Sequence, residues 1–384
     1  MTAAPGRRLS VLHVVIRATA TNSQYNEHCL PMRVERRITV CSLLPSEVAP
    51  PDDLRLLEGD GSKRGAFAVL RRALDAGTYD IVHVHAPASG ILVVLAYLLS
   101  RRSRADLVLT VHNSWPNFRL RNRLFLWGLI AYFPVVVACG HAARDSMPAV
   151  LRAFFGKRIH AVANGVDLDR VDSCRGPAGS APRAGDGSVA AAVNRLIPIK
   201  EPVLLAEAFL RAARPEDTLV MVGEGPLKAS MPRPKPGRPS VRLTGAVERD
   251  EVYRILWDAD LFVSASRGEG LPVAVLEAMA CECPVVLTDI PPHREIAMSA
   301  AGIRLVPPGD ATRLSAELAS LMGADPEQRR ALGRQLRVAV EQNFSVRAMN
   351  QSYGEIYSDV LARTGTKDRV PLGGGAVASK GEPT

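Results

Sequence analysis

Short apolar runs rich in β-branched residues alternate along the chain with longer segments whose apolar residues recur at helical spacing. In the first half of the chain, the runs that predict strands are residues 10–16, 37–43, 81–85, 107–112, 135–138 and 160–162. Strands with nearly continuous apolar runs are typical of parallel sheets that are covered by helices on both faces. The pattern therefore predicts an α/β domain built from successive βαβ units.

The same alternation starts again in the second half, after a segment without hydrophobic periodicity. Residues 172–188 are rich in Gly, Pro, Ser and Ala, a composition typical of an exposed linker. The second set of predicted strands is 188–193, 219–222, 241–243, 261–264, 285–287 and 303–306. The chain is thus predicted to form domains over residues 1–171 and 189–345, a helix over 346–363, and a disordered tail over 364–384.

Composition and charge indicate which partners to expect and whether the cysteines are reduced. Of the 384 residues, 47% are hydrophobic, and the formal net charge is +9. This charge favours anionic partners such as nucleotides, acidic lipid headgroups or anionic glycans. Nucleic acid is not expected as a partner, because the sequence has no Lys/Arg stripe interleaved with aromatic residues. Six cysteines without a C-x-x-C pair are expected to be reduced, as in a cytoplasmic protein.

Three apolar stretches invite a membrane interpretation but are short. Residues 9–16 follow two arginines, yet they contain His13 and end at Arg17, so a first strand is favoured over a secretory or twin-arginine signal. Residues 91–99 and 124–138 fall short of the roughly 20 residues that a membrane-spanning helix needs. The sequence therefore predicts no transmembrane helix.

The segment 258–295 carries the most informative chemistry. The turn Gly268-Glu269-Gly270 lies between a predicted strand and a helix that starts near Val273. Glycines allow close approach to a ligand, and a helix N-terminus suits a diphosphate. Glu269 and Glu277 are separated by about two helical turns, so one carboxylate can accept hydrogen bonds from sugar hydroxyls while the other accepts them from a ribose. The alternative is two solvated surface glutamates.

The residues Glu269 to Ala280, EGLPVAVLEAMA, resemble the E-x7-E motif of the retaining glycosyltransferases of family 4, also called group 1. Other pieces fall in the family's order over residues 8–362. They are VHVH at 82–85, NGVD at 164–167, VNRL at 193–196 with Lys200, VGEGP at 222–226, TG at 244–245 and a late helix that ends near Tyr357. As an ordered set, these motifs are far more specific than any one alone.

The resemblance implies the GT-B fold, in which two Rossmann-like doubly wound domains face a central cleft and a C-terminal helix packs back towards the first domain. It implies catalytic roles for His112, Arg195, Lys200 and Glu269. The residues implied in donor binding are Arg195, Lys200, Gly223, Gly268, Glu269, Gly270, Leu271 and Glu277. On the acceptor side, the candidates are Thr21, Ser23, Tyr25 and His112.

The implied function is a retaining, hexosyltransferase-type reaction that moves a sugar from a UDP- or GDP-sugar to a hydroxyl of a carbohydrate, lipid-linked or small-molecule acceptor. Two alternatives stay open: a nucleotide-sugar epimerase or hydrolase on the same fold, and an inactive nucleotide-sugar-binding partner subunit. No cofactor or essential metal is expected. Asp260 of the D-x-D at 258–260 is expected to anchor a strand, and His83 and His85 have no evident third ligand.

Two segments depart from the family pattern. The loop 17–28 has no glycine, so hydroxyls of Thr19, Thr21 or Ser23 are expected to replace backbone donors, unless the loop faces the acceptor. Relatives usually have glycine where this chain has Glu282, which predicts either a strained turn or a turn of a different kind.

Two basic clusters indicate either a solvated face or contact with an anionic membrane or glycan. In the membrane case, the protein would bind peripherally at the inner face of the cell membrane. The clusters are Arg101, Arg102 and Arg104, and Arg119, Arg121 and Arg123.

Overall fold

The computed structural model describes residues 8–100, 106–176, 187–233 and 237–364. Most of the linker at 172–188, the cluster at 101–105 and the tail beyond residue 364 lie outside the described residues. Within those ranges, the chain forms two parallel sheets with helices on both faces of each.

The first sheet has seven strands in the order β3-β2-β1-β4-β5-β6-β7. The strands are β1 Ser10–Val15, β2 Arg37–Ser42, β3 Arg55–Glu58, β4 Ile81–Val84, β5 Leu107–Val111, β6 Val135–Ala138 and β7 Ile159–Ala161. Its central strands are buried along their length, as the continuous apolar runs predicted. The edge strand β3 was not predicted, because its four residues are only half-buried or exposed and therefore leave no apolar run.

The second sheet has six strands in the order β10-β9-β8-β11-β12-β13. The strands are β8 Val189–Val193, β9 Thr218–Val222, β10 Ser240–Gly245, β11 Leu261–Ser264, β12 Val285–Thr288 and β13 Arg304–Val306. The strand order reverses between β1 and β4 in the first sheet and between β8 and β11 in the second. Such switch points are where open α/β sheets bind ligands, at the carboxyl ends of the strands.

Fourteen α-helices connect the strands of the described ranges. They are α1 Leu30–Met32, α2 Lys63–Asp75, α3 Pro87–Ser100, α4 Leu120–Tyr132, α5 His141–Asp145, α6 Ala149–Phe155, α7 Leu168–Ser173, α8 Pro202–Ala212, α9 Arg249–Trp257, α10 Val273–Ala280, α11 Pro291–Ala297, α12 Ala311–Met322, α13 Pro326–Asn343 and α14 Val346–Thr364. Side-chain caps start several of them: Ser62 accepts from Gly65 N at 2.9 Å, and Asp325 accepts from Glu327 N at 2.8 Å. None of the helices in the described part of the chain has both the length and the apolar character that crossing a membrane requires.

The last helix, α14, follows the second domain in sequence but packs on the first. Its fully buried Tyr353 and Tyr357 share one apolar cluster with Val11 and Val15 of β1. Backbone hydrogen bonds hold the chain where it passes from the second domain to the first. Val166 N donates to Phe344 O at 2.8 Å, and Val346 N donates to Val166 O at 2.9 Å.

Polar contacts also join the two domains. The carboxylate of Glu295 accepts from the backbone N–H groups of His141 and Ala142 at 2.8 and 2.7 Å. Arg170 Nε donates to Asp250 Oδ1 at 2.7 Å. The carboxyl ends of the two sheets are thus held close together.

Candidate active site

The loop between β11 and α10 carries the predicted glycines and Glu269, and it lies against the first domain. A Cβ atom at Gly268 would come within 2.3 Å of Asn117 Oδ1. One at Gly270 would come within 2.5 Å of the carbonyl oxygen of His112. Because only glycine permits so close an approach, this loop can meet the carboxyl end of β5 directly.

Two asparagines of the first domain bind the backbone of the same loop. Asn117 Nδ2 donates to the carbonyl oxygen of Glu269 at 3.0 Å, and Asn164 Nδ2 donates to the carbonyl oxygen of the buried Leu271 at 2.7 Å. These hydrogen bonds fix where the loop presents its glutamate.

Lys200 and Glu269 form an ion pair at this junction. Lys200 ends a short 3-10 turn, Pro198–Lys200, that follows β8, while Glu269 follows β11, the next strand in the sheet. Their side chains are 15% and 13% exposed, so water screens the pair less than it screens a surface pair. A cation and a carboxylate are thereby placed side by side at the junction of the two domains.

Arg195 and Gly223 follow the two adjacent strands β8 and β9. Arg195 is exposed, and its side chain has no ion-pair partner within the described ranges. Gly223 has a φ of 133°, and a Cβ there would lie 2.0 Å from the carbonyl oxygen of Asn194. The structure thus puts Arg195 at the expected sheet edge, but outside the Lys200–Glu269 pair.

Glu277 lies deeper than Glu269 and is 4% exposed. Its Oε1 accepts from Arg249 Nη1 and, at 3.2 Å, from the hydroxyl of Tyr253. Arg249 Nη1 also meets Glu27 Oε1 of the first domain at 2.9 Å. Burial alone would lower the pKa of Arg249, but the carboxylate of Glu277, and that of Glu27 when it is ionised, raise it above its ordinary value, so the guanidinium is charged.

The loop 17–28 is held by its own side chains. Residues Gln24–Cys29 form a π-helical turn, and Asn26 Nδ2 donates to three carbonyl oxygens, among them that of Asn22 at 2.8 Å. Of the predicted acceptor-side residues, Thr21 is exposed, Ser23 is half-buried and Tyr25 is 3% exposed. The hydroxyl of Tyr25 is buried, so of these three residues only Thr21 and Ser23 keep solvent-exposed surface.

His112 follows β5 and is half-buried. Its Nε2 lies 3.1 Å from His85 Nδ1, and burial lowers its pKa to about 4. The ring is therefore neutral at physiological pH. Its other nitrogen, Nδ1, has no hydrogen-bond partner among the described residues.

Comparison with known families matches both halves of the chain. The model for Glycosyltransferase Family 4 matches residues 36–170, and the model for Glycosyl transferases group 1 matches residues 187–324. Together they cover both parallel sheets except the first strand. The chain belongs to the family 4, or group 1, glycosyltransferases.

Curated relatives of this glycosyltransferase-family chain agree with that assignment. It is 26% identical over 233 residues to the phosphatidyl-myo-inositol mannosyltransferase of Propionibacterium freudenreichii, which covers 59% of this chain and 56% of that protein. It is 26% identical over 317 residues to EpsD of Bacillus subtilis, which covers 78% and 81%. The chain thus spans a little over half the length of the mannosyltransferase that it matches.

Solved structures show the same fold at low identity. HepE of Anabaena, in complex with UDP and glucose, superposes with a TM-score of 0.70 at 18% identity, over 91% of this chain and 100% of that one. Sucrose-phosphate synthase from Thermosynechococcus elongatus superposes with a TM-score of 0.73 at 18% identity, over 93% and 100%. The GT-B architecture implied by the sequence motifs is therefore confirmed.

Asp260 of the D-x-D sequence in this family 4 chain anchors a strand, but that strand is β8 and not β11, which directly follows Asp260 and whose start it was expected to anchor. Asp260 Oδ2 accepts from Val189 N at 2.9 Å, and its Oδ1 lies 3.4 Å from Arg329 Nη2. The carboxylate therefore anchors the start of β8.

The sequence shows no third ligand of suitable spacing beside His83 and His85, but the structure brings His13 to them. His13 of β1 is the register partner of His83 on β4, and ligand nitrogens of the three rings lie within 4.8 Å of one another. The missing signal was strand order, because β1 and β4 are adjacent in the sheet although about 70 residues separate them.

Sequence reasoning also overlooked Glu27, Asn117 and Arg249. Glu27 and Asn117 belong to loops that follow β1 and β5, so the rule that ligands bind at carboxyl strand ends could have indicated them. Nothing in the sequence near Arg249 indicates that it meets carboxylates from both domains.

Proposed function

We propose that this chain is a retaining hexosyltransferase. It moves a sugar from a nucleoside diphosphate sugar, UDP- or GDP-linked, to a hydroxyl of a carbohydrate, lipid-linked or small-molecule acceptor, without an essential metal. The observation that carries the proposal is the shielded Lys200–Glu269 pair on two adjacent strand ends, at the junction with the first domain. Opposite charges side by side suit a ligand that carries an anionic diphosphate and a neutral sugar rich in hydroxyls.

Lys200 and Arg195 act on the diphosphate in this proposal. Negative charge builds on the leaving phosphate as the glycosidic bond breaks, and a cation in a site shielded from water stabilises that charge more than one in bulk water. Arg195 is exposed and unpaired in the described ranges, so it is available to a ligand without first breaking an ion pair.

Glu269 and Glu277 act on hydroxyls. Glu269 accepts hydrogen bonds from the transferred sugar, and its backbone is fixed for this by Asn117. Glu277 accepts from the ribose through Oε2, since its described contacts with Arg249 and Tyr253 both use Oε1. The acceptor oxygen attacks the front face of the sugar, and the departing phosphate takes its proton.

The named relatives support this donor and acceptor class. HepE was solved with UDP and glucose, and the curated relatives include the phosphatidyl-myo-inositol mannosyltransferase and an Escherichia coli galactosyltransferase named for a UDP-Gal donor and a diphosphoundecaprenol acceptor. A lipid-linked acceptor is therefore the first class to test.

The test joins ligand binding with turnover. UDP, GDP, ADP and dTDP and their sugars are screened by thermal shift, since a specific ligand stabilises the folded state by mass action. Transfer is then measured with the stabilising donor, with and without EDTA. We expect Lys200→Ala and Glu269→Ala each to lose most transfer activity and to keep the wild-type melting temperature. The control variants Lys63→Ala and Glu207→Ala, at exposed positions, should keep the wild-type transfer activity.

The outcomes separate the proposal from its alternatives. Free epimer or free sugar formed from donor alone would indicate an epimerase or hydrolase. Donor binding without consumption in a single turnover would indicate a binding subunit. Wild-type transfer in Lys200→Ala or Glu269→Ala would refute the site, and loss of transfer with EDTA would refute metal independence.

We also propose that the first domain docks peripherally on an anionic membrane, at its cytoplasmic face. Nine of the twelve exposed large apolar side chains of the described residues lie on three helices that pack in sequence, α3, α4 and α6. We name this the α3–α4–α6 surface; its residues are Leu95, Leu98, Leu99, Leu120, Leu124, Phe125, Trp127, Val150 and Phe154.

Charge supports an anionic bilayer as the occupant of this surface. Helices α3, α4 and α6 contain no Asp or Glu, whereas Arg119, Arg121 and Lys157 are exposed beside them. Apolar side chains rimmed by cations gain both from burial among lipid chains and from the negative surface potential of the cytoplasmic leaflet.

Vesicle flotation tests this surface. We expect the protein to float with phosphatidylglycerol-containing vesicles at low salt and much less with pure phosphatidylcholine. The triple variant Leu120→Ser, Leu124→Ser and Phe154→Ser should lose flotation, whereas the matched control Met298→Ser and Val338→Ser, exposed elsewhere, should keep it. No flotation of the wild type, or equal flotation of the triple variant, would refute membrane docking.

A further inference from the structure

Five of the eight histidines gather inside the first domain. His13 lies on β1, His83 lies on β4 and His85 directly follows it, His112 follows β5, and His28 lies on the π-helical turn. Neighbouring rings in this group have centroids 4.1 to 5.3 Å apart, and four of the five residues are at most 2% exposed. Such a group needs an explanation, because buried imidazoles must find hydrogen-bond partners.

Three of these rings form one hydrogen-bonded chain that ends at the candidate active site. His13 Nδ1 lies 2.8 Å from His85 Nε2, and His85 Nδ1 lies 3.1 Å from His112 Nε2. His83 stands apart from the chain, because its Nδ1 is bonded to the hydroxyl of Tyr357 and its Nε2 to that of Thr110, both at 2.6 Å.

Proton counting leaves two protonation states for this hydrogen-bonded chain of three rings. Burial lowers the pKa of His13 to about 3 and that of His112 to about 4, and it holds the pKa of His85 well below its usual range. All three rings are therefore neutral and carry one N–H each. Because each link joins an Nδ1 to an Nε2, all three rings must be protonated on Nδ1, or all three on Nε2.

The buried end of the chain decides between the two states. His13 Nε2 is buried without a hydrogen-bond partner. Buried N–H groups without an acceptor are rare in proteins, and the positive charge of Arg36 acts on His13, which favours a lone pair over an N–H at that nitrogen. His13 is therefore protonated on Nδ1, and so are the other two rings.

We propose that the chain His13–His85–His112 locks His112 in its neutral Nδ1–H tautomer, so that His112 donates a hydrogen bond to substrate and does not act as a general base. His13 and His85 are positioning residues, since they act through His112. The inference rests on the proposed function in one respect, namely that His112 faces substrate. It agrees with a reaction in which the leaving phosphate takes the acceptor's proton.

A metal site is the competing interpretation of the same rings, since His13, His83 and His85 have ligand nitrogens within 4.8 Å of one another. The contacts favour the hydrogen-bonded chain. The 2.8 Å between His13 Nδ1 and His85 Nε2 is a hydrogen-bond distance, and both ring nitrogens of His83 are hydrogen-bonded to hydroxyls. The group also contains no carboxylate or thiolate to offset a dication, and Arg36 adds positive charge.

The experiment reads tautomers directly, without substrate. The full chain is labelled with ¹⁵N in histidine imidazoles, and two-bond ¹⁵N–¹H correlation spectra are recorded near neutral pH and across a pH titration. We expect His13, His85 and His112 all to show a protonated Nδ1 and a bare Nε2, and not to titrate between about pH 5.5 and 8.5. His112 protonated on Nε2, or titrating in this range, would overturn the proposal.

Matched variants test the coupling. His13→Phe removes the end of the chain, so His112 should become a mixture of tautomers. His83→Phe alters a ring of the same group outside the chain, so His112 should keep its Nδ1–H signature. Equal effects of the two variants would indicate a merely structural role and refute the lock.

Added Zn²⁺ identifies the metal alternative. Stoichiometric binding that shifts the signals of His13, His83 and His85 together would overturn the hydrogen-bonded chain. If the wild-type spectrum shows the lock but no donor is consumed, the proposed function fails while the tautomer assignment stands. An unchanged rate of transfer in His13→Phe, with the tautomer of His112 altered, would refute the role of the lock in the reaction.

Discussion

The carboxyl group of Glu27 gives this fold a stability that depends on pH. Glu27 is 4% exposed, its Oε2 is buried without a hydrogen-bond partner, and Oε1 shares Arg249 with Glu277. Burial is the largest influence and raises the pKa of Glu27 from 4.5 to about 8, against the opposing charge of Arg249. One guanidinium thus faces two buried carboxyl groups, and burial keeps a proton on Glu27 at neutral pH.

The sign of the effect follows from proton counts. Between the unfolded pKa of 4.5 and the folded pKa of about 8, the folded protein holds a proton on Glu27 that the unfolded chain has released. The free energy of unfolding is therefore highest below this range and falls as the pH rises through it. At about 1.4 kcal/mol per pH unit, the loss has an upper limit of about 5 kcal/mol.

Glu27→Gln removes the ionisation and keeps an oxygen for Arg249. Urea unfolding, followed by tryptophan fluorescence from pH 5 to pH 9, compares the variant with the wild type. We expect similar stability near pH 5 and a growing advantage for the variant towards pH 9. For the control Glu207→Gln, at an exposed position on α8, the free energy of unfolding should differ from that of the wild type by the same amount at every pH.

Parallel stability profiles of the wild type and Glu27→Gln, or a variant that is less stable than the wild type at pH 9, would contradict the raised pKa of Glu27. Either result would mean that Glu27 is ionised and stabilised by Arg249 throughout. A ¹³C titration of the Glu27 carboxyl group measures the same pKa independently of unfolding.

Three further predictions concern backbone fit and core packing. Gly270→Ala should cost about 1–3 kcal/mol and reduce transfer, because its Cβ would lie 2.5 Å from a carbonyl oxygen; Gly128→Ala, with no atom within 4 Å of its Cβ, is the control. Glu282 has a φ of 57°, so Glu282→Gly should raise the free energy of unfolding by about 1 kcal/mol, whereas Glu282→Ala keeps the strained turn and should not. Phe209→Ala should cost about 3–5 kcal/mol in denaturant unfolding, because this side chain is completely buried; a smaller loss than at an exposed position would contradict the assigned core.

Hydrophobic periodicity alone predicted most of the two sheets. Twelve of the thirteen strands that the described residues form were predicted, with bounds that differ from the observed ones by no more than two residues at either end, since a strand buried on both faces needs a continuous apolar run. At Glu282 the sequence left a strained turn or a different turn open, because glycine is usual where a left-handed conformation is required, and the positive φ shows the strained one.

Contacts between segments far apart in sequence could not be predicted in this way. Arg249 meets Glu27 and Glu277, and Asn117 meets the backbone of Glu269, across a junction that local pattern does not describe. Local sequence determines which residues form strands and which turns end them, because those preferences depend on neighbours along the chain. Strand order and the closure of the two domains decided which charges and histidines meet, because burial, and hence pKa and pairing, depends on neighbours in space.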